Sequence, residues 1–218
     1  MAQQSASSAA ARELATGERT LVIACGALAA EITALARAND WSALQVQCLP
    51  AELHNAPQRI PAAVRAKLEA SRGRYRSVFV AYADCGTGGE LDRVLREFGV
   101  ERIPGAHCYE FYAGTATFTA LAEAEPGTFY LTDFLARHFE RLVIVALGLD
   151  RHPELAAMYF GNYRKLVYLG QRADADLMDA ARHAAQRLGL AFEYHDVGYG
   201  ELATSLRAAG ERVVSWHV

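Results

Sequence analysis

The stretch 76–83, RSVFVAYA, narrows the fold more than any other feature of the chain. It is almost wholly apolar, as a strand covered on both faces is, and such strands belong to parallel sheets with helices packed on either side. Shorter stretches that read as strands recur at 20–24 (TLVIA), 44–49, 100–103, 165–169 (KLVYL), 192–197 and 213–218. Between them lie segments of helical periodicity at 27–38, 62–71, 91–98, 109–123, 153–160, 174–188 and 202–209. Gly114 and three threonines weaken the helix at 109–123. Gly189 is a good stop for the helix at 174–188.

Strand–helix alternation of this kind predicts an α/β fold: a doubly wound, mostly parallel sheet, or sheets, with helices on both faces. The expected organisation is a flexible N-terminal tail over 1–17 and one α/β domain over 18–218. That domain divides into Rossmann-like lobes at 18–124 and 163–218 around a helical connector at 125–162. In the connector, Pro126-Gly127 reads as a turn and Thr132 as the cap of a helix through Asp133 to about Leu147. Val and Ile make 142–146 a strand in the alternative reading.

Lys and Arg number 22 against 25 Asp and Glu, and they are spread along the chain without a basic block. No nucleic-acid partner is expected. The longest apolar run, Leu142 to Leu149, falls well short of the ~20 residues of a membrane span. The N-terminus lacks a basic start followed by an apolar run, so no secretory signal is expected there and a cytoplasmic location follows by default.

In such a compartment the four cysteines are candidates for catalysis, metal binding or burial rather than for disulfides. Cys25, Cys85 and Cys108 share one position: each follows an apolar strand and precedes a helix, which is the ligand-binding edge of a doubly wound sheet. Gly26, Gly86 and Gly105 lie beside them and permit tight turns. Three thiolates suit zinc or an iron–sulfur cluster, and three protein ligands leave a coordination position open, as catalytic zinc sites do. His107 and Glu110 are candidates for a fourth ligand or for proton transfer, as is Asp84 for the latter. Cys48 lies inside its strand and reads mainly as core, with a reserve role as ligand. His54, in the Pro-rich loop at 50–61, reads as a solvated loop histidine that could also face the same edge.

Asp84-Cys85-Gly86-Thr87-Gly88-Gly89 has the physical character of an anion cradle at a helix start, although it matches neither GxGxxG nor GxxxxGK[ST]. Gly26, Gly86, Thr87, Gly88 and Gly89 are the expected cofactor- or substrate-binding positions, and the small substrate would be anionic. Gln171, just after KLVYL, is placed to face a ligand across a cleft.

The strings LVIACG, VFVAYADCGTGG, IPGAHCYEFYAG, GTFYLTDFLARHF, GLDRHPEL and YFGNYRKLVYLGQ resemble the DUF1638 family of bacteria and archaea, over nearly the whole chain after the tail. The resemblance implies a link to corrinoid-dependent methyl transfer, with corrinoid or methyltransferase proteins as partners. Thiolate-rich zinc activates an external thiol as a methyl acceptor, and the same three cysteines would also hold a 4Fe–4S cluster with one open iron. Three readings follow. The first is a metalloenzyme with Cys25, Cys85 and Cys108 as ligands. The second is a non-enzymatic metal or cofactor carrier, or an accessory protein for methyltransferases. The third is a metal-free enzyme with Cys85 as nucleophile and His107 as base.

Overall fold

The structure, a computed structural model, describes residues 19–211. The expected tail at 1–17 and the closing strand at 213–218 lie outside the described residues. Two separate parallel sheets form the frame, of four and three strands.

The first sheet begins with β1 (Thr20–Cys25), whose six residues are all buried. A 3-10 turn at Gly26–Leu28 leads into α1 (Ala29–Ala38). Strand β2 (Leu44–Leu49), two further 3-10 turns and α2 (Ile60–Ser71) follow. Strand β3 (Ser77–Ala81) is again wholly buried, which explains its apolar run, and it leads to α3 (Glu90–Phe98). Strand β4 is only Glu101–Arg102. The strand order is β2-β1-β3-β4. Helices α2 and α3 pack on each other, and α1 packs with a helix from the chain's far end described below. Each fully buried aliphatic side chain in this core contributes about 1.5–3 kcal/mol.

Beyond β4, the helix expected at 109–123 is two helices, α4 (Cys108–Ala113) and α5 (Thr115–Ala124). Gly114 separates them at φ 78° and ψ 142°, a conformation outside the helical region that glycine adopts readily.

The expected helical connector contains a strand, β5 (Thr128–Thr132), paired in parallel with β6 (Lys165–Gly170). Its composition, TFYLT, is β-branched and aromatic, and a partner strand 33 or more residues away along the chain overrides the local helical signal. Thr132 does cap the following helix α6 (Asp133–Arg137), its hydroxyl accepting from Leu135 N at 3.4 Å. The alternative strand at 142–146 does not form: Glu140–Val145 is a π-helical turn that buries Leu142, Val143 and Ile144. Helix α7 (Ala156–Phe160) precedes β6.

Helix α8 (Ala175–Leu188) is capped as its sequence predicts. Asp174 accepts from Leu177 N at 3.1 Å, and Gly189 ends it at φ 69°. Strand β7 (Ala191–Asp196) completes the order β5-β6-β7. The last helix, α9 (Leu202–Glu211), does not belong with that sheet. Its Leu202, Leu206 and Ala209 are buried in the first core, against β3 and α1. The lobes therefore do not divide at 124 and 163 as expected, because the chain returns to its first half. The crossing is close: a Cβ on Gly200 would collide with the carbonyl oxygen of Phe111, and Glu201 N donates to that same oxygen at 2.9 Å. Among the described residues no helix is long and apolar enough to cross a membrane.

A candidate metal centre at the carboxyl edge of the first sheet

Every strand of the first sheet is parallel, so every loop that follows a strand leaves at the same edge. The neighbour relations are what bring distant residues together. β3 lies between β1 and β4, and β2 lies beside β1. Cys25 ends β1, His54 follows β2, Cys85 follows β3 and Cys108 follows β4. Backbone bonds tie the last two loops directly, Asp84 N to Gly105 O at 3.1 Å and Cys85 N to Ala106 O at 2.8 Å. Arg102 holds the second loop from behind. It donates to Asp92 at 2.6 and 3.0 Å, to Ile103 O at 2.7 Å and to Gly105 O at 3.2 Å.

The result is a compact group. The Cys85 and Cys108 sulfurs are 3.5 Å apart, and one ligand atom each from His54, Cys85 and Cys108 lies within 4.8 Å of the other two. Cys25 Sγ stands beside the group, 3.7 Å from His54 Nδ1, and accepts from Ala27 N at 3.3 Å. His54 Nδ1 is also 3.1 Å from Ala51 O, and its ring stacks near-parallel on Tyr82 at 6.1 Å. Backbone contacts and second-sphere contacts of this sort fix the orientation of a ligating imidazole. Cys85 itself sits at φ 51°, one of two non-glycine residues at positive φ among the described residues. That region costs an ordinary side chain about 1–3 kcal/mol and collects at functional sites.

The electrostatics separate the two thiols. The hydrogen bond from Cys108 brings the Cys85 pKa down to about 5 against the resistance of burial, with further help from the His54 and His107 charges. Cys108, donating to that thiolate and buried beside it, is raised well above the ordinary thiol value. Burial opposes the charged form of His54, but hydrogen bonds to Cys25 and Cys85 overcome it and push the imidazole up to about 11. The metal-free group therefore holds a Cys85 thiolate between a protonated Cys108 and an imidazolium.

The expected set of Cys25, Cys85 and Cys108 is thus rearranged. The tight group is His54, Cys85 and Cys108, with Cys25 outside it and its sulfur 3.7 Å from His54 Nδ1. His54 is not a purely solvated loop residue: part of the ring is exposed, while Nδ1 faces sulfur. Cys48 is exposed rather than core, because β2 is an edge strand whose burial is mostly partial. The structure gives Asp84 and Glu110 other partners. Asp84 accepts from the Thr87 hydroxyl at 2.7 Å, Gly88 N at 3.1 Å and Gly89 N at 2.9 Å. Burial pulls its pKa up, but those donors leave it below the usual carboxylate value. The anion cradle is filled by the loop's own carboxylate. Glu110 accepts from Ala106 N at 3.0 Å and lies against Gly105, closing the loop before α4. Gly26 lies close to β2, where a Cβ would come within 3.1 Å of Leu49 O. Gln171 turns inward: its Oε1 accepts from Asp133 N at 2.8 Å, and its own N donates to Asp133 Oδ1 at 3.0 Å.

A cavity of about 520 Å³ opens beside the group, between it and the second half of the chain. His54, Cys85, His107 and Cys108 line its first wall. The opposite wall, from Phe129 to Tyr163, is apolar and aromatic apart from Thr132 and tyrosine hydroxyls. Sequence reasoning did not single out this second wall. Its residues come from the expected connector at 125–162 and from Tyr163 just beyond it, and a lone Phe or Tyr there carries no signal of a shared surface.

A family profile described as "Protein of unknown function (DUF1638)" matches residues 48–206, which take in His54, Cys85 and Cys108 but not Cys25. No curated protein and no solved structure matches the chain.

Proposed function

Because the chain belongs to the DUF1638 family, whose description carries no activity, function has to be read from its own residues, and we propose a metal-dependent enzyme acting on a small molecule. His54, Cys85 and Cys108 would be the protein ligands, and the ion would be zinc. The observation that carries this is the mutual approach of three ligand atoms within 4.8 Å. Two thiolates and one imidazole are a donor set used by catalytic zinc, which keeps its fourth position open. The sulfur spacing favours a single ion over a cluster. Two thiolates bound tetrahedrally at ~2.3 Å from one zinc lie roughly 3.8 Å apart, close to the 3.5 Å between Cys85 and Cys108. Cys25, outside the group, supports a role in orienting His54 instead of ligation.

Bound there, zinc would supply a Lewis acid that lowers the pKa of a donor atom in the open position. The chain's own residues do the rest. Cys85 offers a thiolate already formed, Cys108 and His54 give up protons on ligation, and His107 on the cavity wall is placed to accept or return a proton. Activation of a thiol as a methyl acceptor belongs to this chemistry, and a corrinoid or methyltransferase protein would then be the partner.

Metal analysis after purification without oxygen tests the reading. One equivalent of zinc, lost in Cys85→Ala, Cys108→Ala and His54→Ala, is expected. A folded protein that takes up neither zinc nor iron rejects it, and broad brown absorbance replaces zinc with an iron–sulfur cluster. The low Cys85 pKa also supports a second reading, a metal-free cysteine nucleophile. Selective alkylation of Cys85 in protein that refuses metal would favour that one.

A further inference from the structure

We propose that the cavity selects an uncharged small molecule, with an aromatic or similarly bulky apolar body and a thiol as its head group. The head group alone rests on the zinc reading; the body does not.

The lining contains no Asp, Glu, Lys or Arg among the described residues, so the two histidines beside the cysteines are its only basic side chains. An ionic group carried to the far wall, away from those histidines, would lose its hydration without a partner, which is costly. A zinc ion held by two thiolates has no net charge and does not draw an anion in. The glycine-rich loop does not compensate, since its N–H groups at Gly88 and Gly89 are given to Asp84. The anionic substrate expected from that loop is therefore replaced by a neutral one.

The far wall offers aromatic rings against which a flat body can pack. Phe129, Phe160 and Tyr163 form a mutual cluster with ring centroids 5.6–5.9 Å apart, two of the three pairs edge-on. Such an arrangement presents faces and edges to a further ring. About 520 Å³ is a usual size for a small-molecule pocket. Tyr112 lines the space, is 2% exposed, and its hydroxyl has no hydrogen-bond partner in the protein. Burial keeps that hydroxyl protonated, so it is a donor for one polar atom of the ligand. A soft donor completes the match, because thiolate-ligated zinc takes sulfur readily and binding deprotonates it.

The experiment titrates cobalt(II)-loaded protein with benzyl mercaptan and with 2-mercaptoethanesulfonate, reading the thiolate-to-cobalt charge-transfer band. Half-saturation is expected roughly tenfold or more lower for benzyl mercaptan. Leu147→Lys, which places a cation on the apolar wall, is expected to erase or reverse that preference. Equal or tighter binding of the sulfonate by the unaltered protein overturns the proposal. If cobalt is not taken up, the metal reading fails by itself. The body is then tested on metal-free protein by NMR shift titration with benzyl alcohol and benzoate. Saturable binding of the alcohol alone supports the cavity assignment, while binding of benzoate alone, or of neither, overturns it.

Discussion

The sulfurs of Cys85 and Cys108 lie 3.5 Å apart although 23 residues separate them, and only one of the two carries a proton near neutral pH. This asymmetry has a measurable consequence for metal uptake. At pH 7 Cys85 is already a thiolate, while Cys108 and His54 hold protons that ligation must expel. Zinc binding should release roughly two protons per ion. Calorimetry in buffers of different ionisation enthalpy would count them, and release of none would show that these side chains are not the ligands.

Alkylation of Cys85 in the metal-free protein should be half-maximal near pH 5 and flat above it, since the thiolate is the reactive form. Mass spectrometry after a short pulse of iodoacetamide across pH 4–9 would give the profile. The same groups shape stability. The lowered Cys85 pKa contributes stability that is complete above the ordinary value of 9.0 and is lost as pH falls through about 5. The raised His54 pKa contributes stability that is complete below 6.5 and is lost as pH rises through about 11. The opposed slopes leave a plateau between 6.5 and 9.0, with the raised Cys108 pKa steepening the decline above it. Denaturant unfolding of His54→Ala should make the alkaline limb shallower, leaving the part that Cys108 contributes.

Cys85 sits at φ 51°, where a Cβ is strained and glycine is not. Cys85→Gly should therefore be more stable than Cys85→Ala by about 1 kcal/mol, although neither holds the metal. A Cys85→Gly variant less stable than Cys85→Ala would show that the turn is relaxed as it stands.

Arg102→Ala removes the side chain that ties α3, β4 and the loop before Cys108 together. The Asp92 end of the tie is partly solvated, so a loss of about 1–2 kcal/mol in stability is expected. Zinc affinity should fall as well, although Arg102 is no ligand, because the loop that presents Cys108 loosens. Competition with a chromophoric chelator would measure it.

Gly200→Ala places a methyl group against the Phe111 carbonyl at the crossing behind α4. The backbone there has φ 48°, so the change is strained twice, and several kcal/mol of destabilisation are expected. Thermal unfolding would show it; a Tm within a degree or two of the unaltered protein would contradict the close packing of α9 on the first core.

Much of this was legible in the chain because it is local. The apolar run at 76–83 identifies a covered strand, Asp174 and Gly189 bracket a helix, and the position of a cysteine after a strand identifies the sheet edge it will occupy. His54 obeyed the same positional rule, yet its Pro-rich loop read more simply as solvated. Strand β5 is hidden in the sequence because it runs straight into the helix start at Thr132-Asp133, and nothing nearby shows that Thr128–Thr132 will pair with Lys165–Gly170.

What the sequence determined by itself was therefore the type of each element and the end at which its loop emerges, since side-chain periodicity and caps act within a few residues. Only the tertiary structure decided the rest: which loops are neighbours, that Asp84 satisfies its own glycine-rich turn, and that aromatic residues from 129–163 close a cavity over the cysteines. Those depend on strand order and on contacts across long loops, whose free energies are sums over the whole fold that no local segment carries.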